Sequence, residues 1–253
     1  MPFTIDDFFK PVKLTKVYGK KDYKTLVPVI EFAKSISHLT YQSIYLIDYY
    51  KRGFVYVSEN PIFLCGNSSD EVLNDGYLHY FNNVPESDLE MLNEINTVGH
   101  SFYNSLPNSQ KLDYFISYDF HLNQPYGKPI LINHKLTPII LDEKCNPWIA
   151  LCFVSISSQS KPGNVVFKNN VERKQFLYDF KIKEWTMIDY LFLKKTEKAI
   201  LLYSAQGYTM TQIAEQLFLS VDTVKYYKRS IFAKLNVKSI SEAIAKSLEL
   251  TLI

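Results

Sequence analysis

Residues 213–237 read IAEQLFLSVDTVKYYKRSIFAKLNV, and this stretch decides the reading of the C-terminal part of the chain. Val224, Tyr227, Ile231 and Leu235 recur at three- and four-residue spacing, which predicts a helix with one inward apolar stripe. Asp222, Lys225, Tyr226 and Arg229 fall on another face of that helix. Ser220 is a good N-cap for it, and Asp222 lies favourably near its positive end. Before it, Thr209 with Gln212 reads as a capping box that opens a shorter helix through Ile213 and Ala214. Only the break at Leu217–Ser220 separates the two.

Two helices joined by a tight turn, the second basic on its exposed side, follow the plan of a helix-turn-helix DNA reader. The pattern extends outward over Leu193–Ile253. Gly207 suits a left-handed cap for a preceding helix, and Ser239 with Glu242 reads as a capping box for a fourth. This segment resembles the LuxR/GerE-type helix-turn-helix domain of bacterial transcription regulators. Leu193, Glu197 and Leu201 fit the opening of that family's pattern, and Ile213–Val237 fits its scaffold helix, turn and recognition helix in order. The family's Thr-Pro is Lys194–Lys195 here, and two lysines at a helix start oppose the dipole. The first helix is therefore expected either to continue from Trp185–Phe192 or to begin late, capped by Thr196.

The resemblance implies that Lys225, Tyr226 and Arg229 face bases in the major groove. A cationic side chain there can donate to guanine O6 and N7, and an aromatic edge can pack on a thymine methyl. Lys228, Lys234 and Lys238 are candidates for phosphate contact, with Thr209, Ser220 and Thr223 at helix starts. Residues 193–253 hold 9 Lys/Arg against 5 Asp/Glu, a net of +4; the whole chain is +2, so the remainder is −2. Positive charge collects on the segment that would meet phosphate.

With 253 residues, 47% of them hydrophobic, the chain can bury a second core outside the sixty or so C-terminal residues. Cys65, Cys145 and Cys152 show no metal-ligand spacing, which suits a reducing cytoplasm. MPFTIDDFFK lacks a basic-then-apolar signal pattern, and no run reaches the ~18 apolar residues of a membrane span. A soluble, cytoplasmic protein is expected.

Residues 24–38 carry a helical pattern with Pro28 near its start. Two β-rich runs around Lys51–Gly53 read as a hairpin. Helical signals follow to about residue 106, with Ser68–Glu71 and Ser87–Glu90 as capping boxes. Three β-rich runs come next, at 112–123, 128–142 and 147–157. Two strands, a few helices and three antiparallel strands resemble a PAS domain over about residues 40–158. The expected class is therefore α+β: a PAS-like five-stranded antiparallel sheet with helices, then an all-α four-helix LuxR-type domain. Residues 1–39 are expected as an arm and helix, 159–192 as a linker with short structured pieces around Val165–Phe167 and Lys174–Ile188, and 193–253 as the DNA-binding domain. Phe176, Phe180 and Trp185 are expected to pack between the domains.

PAS folds sense ligands or mediate dimerisation, so a homodimer and a small-molecule or protein signal are expected. No cofactor is predicted, and a small-molecule ligand between sheet and helices is open but unidentified. His79 and His100 lie where some haem-binding PAS domains place an axial ligand. Cys65 lies near a flavin-reactive position but lacks the Asn-Cys-Arg context, and reads as a small buried residue. The lysines at 10, 13, 16, 20, 21 and 24 read as a solvated arm. A phosphorylation-switched regulator is the alternative, with Asp6, Asp7 and Asp48 as acceptors, but the strands do not alternate with helices as a receiver sheet requires. No Gly-rich phosphate loop, paired-His motif or nucleophile elbow points to an enzyme, and Asp119, Asp142 and Glu143 have no evident catalytic partner.

Overall fold

The computed structural model describes residues 4–12 and 16–253; Lys13 lies outside them. The chain divides into two compact units, Met1–Ile188 and Asp189–Ile253. In the first unit, β1 (Ser43–Asp48) and β2 (Gly53–Val57) form the expected hairpin, with Arg52 left-handed at its turn. β3 (Tyr114–Leu122), β4 (Ile130–Leu141) and β5 (Pro147–Ile156) make an antiparallel meander, and β1 pairs with β5. Between the two sets run α4 (Pro61–Leu64), α5 (Ser69–Asp75), α6 (Leu78–Asn83) and the long α7 (Glu86–Ser105). Two strands, helices, then three antiparallel strands is the PAS-like order.

The sheet has eight strands rather than five, in the order β2-β1-β5-β4-β3-β6-β7-β8. β6 (Gly163–Asn169), β7 (Lys174–Asp179) and β8 (Glu184–Ile188) come from the segment read as a linker. Their tight turns place Arg173 and Lys183 at positive φ, 53° and 58°, where glycine would be the usual signal. The aromatic residues expected between domains instead lie in this unit. Phe102 on α7 packs on Phe167, Phe176 and Trp185 at centroid distances of 4.6, 5.0 and 4.9 Å. Phe180 packs edge-on against Tyr178, whose hydroxyl donates to Glu94 on α7 at 2.8 Å.

Alternation sorts the sheet into two faces. Inward residues such as Tyr45, Phe120, Ile132 and Val154 meet Phe63, Leu89 and Ile95 from the helices in one core. On the opposite face, Ile44, Leu46 and Ile149 are covered by Leu26 and by Ala33 of α3 (Val27–Ser37), with Tyr18 stacked on Trp148 at 3.8 Å. The N-terminal segment, expected as an arm and helix, therefore supplies a second apolar layer. Pro28 sits in the first turn of α3, as expected. α1 (Ile5–Phe9) inserts Phe8 and Phe9 into the main core, while α2 (Lys20–Lys24) leads into α3. Lys10 pairs with Asp7, and Lys16 with Asp22 at 3.0 Å.

Ser68 and Glu71 close the expected capping box of α5. Ser87 does not cap α7: the helix starts at Glu86 with Pro85 as N-cap, so Ser87 lies in its first turn. Asp48 is a structural carboxylate. It accepts the Tyr23 hydroxyl at 2.5 Å and the Tyr50 and Lys51 amides at 2.9 and 3.2 Å, which fixes the β1–β2 turn. Every strand pair is antiparallel, unlike the parallel sheet of a receiver.

Candidate nucleic-acid interface

The second unit holds α8 (Lys195–Ala205), α9 (Met210–Gln216), α10 (Val221–Leu235) and α11 (Ile240–Glu249). Their core gathers Leu193, Ile200, Leu201, Ile213, Val224 and Ile231, all at or below 1% exposure. The stripe predicted for the recognition helix is the buried one, with Tyr227 packed beside it.

Each boundary has a chemical cause. Gly207, at φ +86°, ends α8, with the Tyr208 amide donating to Tyr203 O and the Gly207 amide to Ser204 O, the paired bonds of a Schellman motif. Thr209 and Gln212 exchange the predicted capping-box bonds at 3.3 and 2.9 Å. Ser220 accepts the Thr223 amide at 3.1 Å, and Ser239 accepts that of Glu242 at 3.2 Å. Glu242 reaches back to the Lys238 amide at 3.0 Å and to the Ser239 hydroxyl at 3.0 Å.

The turn between α9 and α10 is a second Schellman motif, with the Leu219 amide on Ala214 O at 2.8 Å. Its left-handed position carries Phe218, at φ 54° and 96% exposed. A side chain in that conformation costs about 1–2 kcal/mol, and glycine gives part of this back through unfolded-state entropy. Phe218→Gly is therefore expected to raise the stability of this unit by about 0.5 kcal/mol; a lowered thermal midpoint would mean that the ring packs on something.

The start of α8 differs from both sequence expectations. Lys194 is its N-cap, and Glu197 accepts the Lys194 amide at 2.8 Å. Glu197 is 1% exposed, and its oxygens also meet the Lys234 ammonium at 2.8 and 2.7 Å and the Ser230 hydroxyl at 3.0 Å. Burial opposes ionisation, but Lys234, the Lys194 amide and Ser230 outweigh it and hold the carboxyl below its ordinary range. One acid thus offsets the two lysines at the helix start and ties α8 to α10. Glu197→Gln keeps an acceptor for the amide and removes the charge. A loss of about 1–2 kcal/mol in this unit is expected, since Lys234 can still reach water; denaturant unfolding checks it, and no change would make the pair ornamental.

The predicted contact residues fall into two groups. Lys225, Tyr226 and Arg229 are all exposed on one side of α10, Tyr226 at 67%. Lys225 pairs with Asp222 at 3.0 Å, a solvent-facing contact one turn apart. Thr209, Ser220 and Lys238 are exposed, with Thr223 and Lys228 half-buried. Lys234 is exposed as well, with its ammonium engaged by Glu197 at 2.7 Å. Spacing alone could not separate it from Lys228, because its partner lies 37 residues away.

A basic helix presented by a short turn on a four-helix core defines a helix-turn-helix module. Residues 192–247 match the family of bacterial regulatory proteins of the luxR family, and the C-terminal unit is a LuxR-type helix-turn-helix domain. Over 56 residues the chain is 39% identical to the transcriptional activator protein BglJ of Escherichia coli, covering 22% of this chain and 25% of that protein. Over 57 residues it is 46% identical to the oxygen regulatory protein NreC of Staphylococcus carnosus, covering 22% and 26%. The chain thus spans about a quarter of the length of these curated relatives. Among solved structures it is similar to VqmA of Vibrio cholerae, at 14% identity over 88% of this chain and 87% of that one, with a TM-score of 0.30.

The first unit contains a cavity of about 80 Å³ between the sheet and α6–α7. His100, Tyr49, Tyr77, Tyr103 and Tyr118 line it, and burial holds His100 neutral, its pKa lowered to about 4. His79 has both ring nitrogens engaged, by Phe63 O at 2.6 Å and the Asn83 amide at 3.1 Å, so His100 alone of the two faces the cavity. Cys65 is a buried thiol, pushed up to about 12 by desolvation, as its reading as a small core residue implies. Sequence reading singled out His100 but missed the four tyrosines, because they come from distant segments and the density of tyrosine is their only local trace.

Proposed function

We propose that the chain is a sequence-specific, DNA-binding transcription regulator of the cytoplasm that acts as a homodimer. Its C-terminal domain, 193–253, would bind duplex DNA, and its PAS-like domain would modulate that binding through a small-molecule signal or through dimer geometry. The observation that carries this reading is the exposed basic side of α10 within a LuxR-type domain. Arg229, Lys225 and Tyr226 would read base edges in the major groove. Lys228 and Lys238, with Thr209, Ser220 and Thr223, would contact phosphate and set the register. The net +4 of 193–253 against −2 for the remainder orients this domain toward DNA. No helix among the described residues is long and apolar enough to cross a membrane.

Selection of duplexes from a random pool by the full-length protein tests the proposal. One enriched motif is expected, with two half-sites about 10 base pairs apart, centre to centre, or a multiple of that spacing. A pool that stays random after repeated rounds would overturn specific binding, and a single unrepeated half-site would overturn the dimer.

A further inference from the structure

We propose that the cavity beneath α7 binds a compact, uncharged molecule carrying hydrogen-bonding atoms. The inference rests on the reading of the PAS-like unit as a sensing domain and names the class of ligand it would take.

Among the described residues, no Asp, Glu, Lys or Arg lines the cavity. A charged guest would lose its hydration there without gaining a counter-charge. Beyond the wall, the Lys111 ammonium lies 5.4 Å from the Tyr103 ring centroid and donates to Cys145 O at 3.1 Å. It is therefore already engaged outside the cavity.

The walls are nonetheless polar in places. The Tyr103 hydroxyl has no hydrogen-bonding partner among the described residues, and the residue is 4% exposed. A buried hydroxyl of this kind gains from a guest that offers an acceptor or donor. Tyr80, also in the wall, hydrogen-bonds to the Tyr45 hydroxyl, which in turn meets His134 Nε2 at 2.6 Å on β4. A guest touching Tyr80 would thus address a polar chain running from α6 across β1 into the middle of the sheet. The volume is about half of the ~150 Å³ apolar cavity that takes benzene, which points to a guest smaller than benzene.

Pyrazole and imidazole test this directly. Both are five-membered rings with two nitrogens, but at about pH 6 pyrazole is neutral and imidazole is largely a cation. Tyrosine-ring NMR signals of the full-length chain are followed as each is added, and DNA affinity is measured in the same samples. Pyrazole is expected to shift the cavity tyrosines saturably, and imidazole to bind at least about tenfold more weakly. Tyr103→Phe is expected to weaken pyrazole several-fold while leaving the thermal midpoint unchanged or raised. Equal binding of both rings, absence of saturable shifts, or pyrazole binding indifferent to Tyr103→Phe would overturn the inference. Pyrazole that binds without changing DNA affinity would support the ligand class and remove the modulation reading. DNA binding that persists without any pyrazole site would overturn the ligand class alone.

Discussion

Lowering the pH from 7 to 5 is expected to remove about 4 kcal/mol from the N-terminal unit before its carboxylates begin to matter. Burial lowers the pKa of His100 to about 4 and that of His134 to about 3, and it lowers His79 as well. The folded state therefore keeps these rings neutral, while the unfolded chain takes up protons from about pH 6.5 downward. Stability is complete above pH 6.5 and falls as the pH drops toward the folded values. Each ring contributes a slope of about 1.4 kcal/mol per pH unit, so His100 and His134 together give about 3. Against a total of roughly 5–15 kcal/mol, that is a large share. Chemical denaturation at a series of pH values, read by near-ultraviolet signals of the buried tyrosines, checks the slope. His100→Leu should flatten it by about half, and a wild-type curve level between pH 6.5 and 5 would contradict the account.

The second large effect concerns α10. Arg229→Ala is expected to weaken binding to the selected duplex by about 1–3 kcal/mol, roughly tenfold to over a hundredfold, and to relax preference at one base pair. Lys225→Ala should act similarly, less the small cost of its solvent-facing contact with Asp222. Lys228→Ala should instead weaken all duplexes alike and reduce the salt slope by about one. Base readout and phosphate contact thus separate by measurement: one changes sequence preference, the other salt dependence. Fluorescence anisotropy with the selected duplex and a scrambled one gives both. All three substitutions leave the buried stripe of α10 untouched, so folding is a small confounder.

The C-terminal unit was legible almost residue by residue because its signals are local. Caps at Thr209, Ser220 and Ser239, the turn at Gly207 and the stripe through Val224 and Ile231 all lie within a few residues of what they control. The misreadings there came from long-range chemistry. Glu197 reaches both the Lys194 amide and, 37 residues away, the Lys234 ammonium, which fixes where α8 begins. In the N-terminal unit, the first five strands announced themselves through β-rich runs and recognisable turns. The last three read only as short structured pieces within a linker, because Arg173 and Lys183 occupy turn positions that glycine usually marks. The cavity was the least legible feature. Tyr49 and Tyr77 lie in turns, Tyr103 on α7 and Tyr118 on β3, and only the closed fold brings them to one space.

The most direct test of the central claim is the affinity of the full-length protein for its selected duplex across a range of salt concentrations, with Arg229→Ala measured beside the wild type. The account predicts a linear fall of log affinity with log salt, and a variant that loses its preference over a scrambled duplex. Wild-type binding that ignores salt, or a variant that still discriminates the two duplexes fully, would contradict α10 as the reading helix.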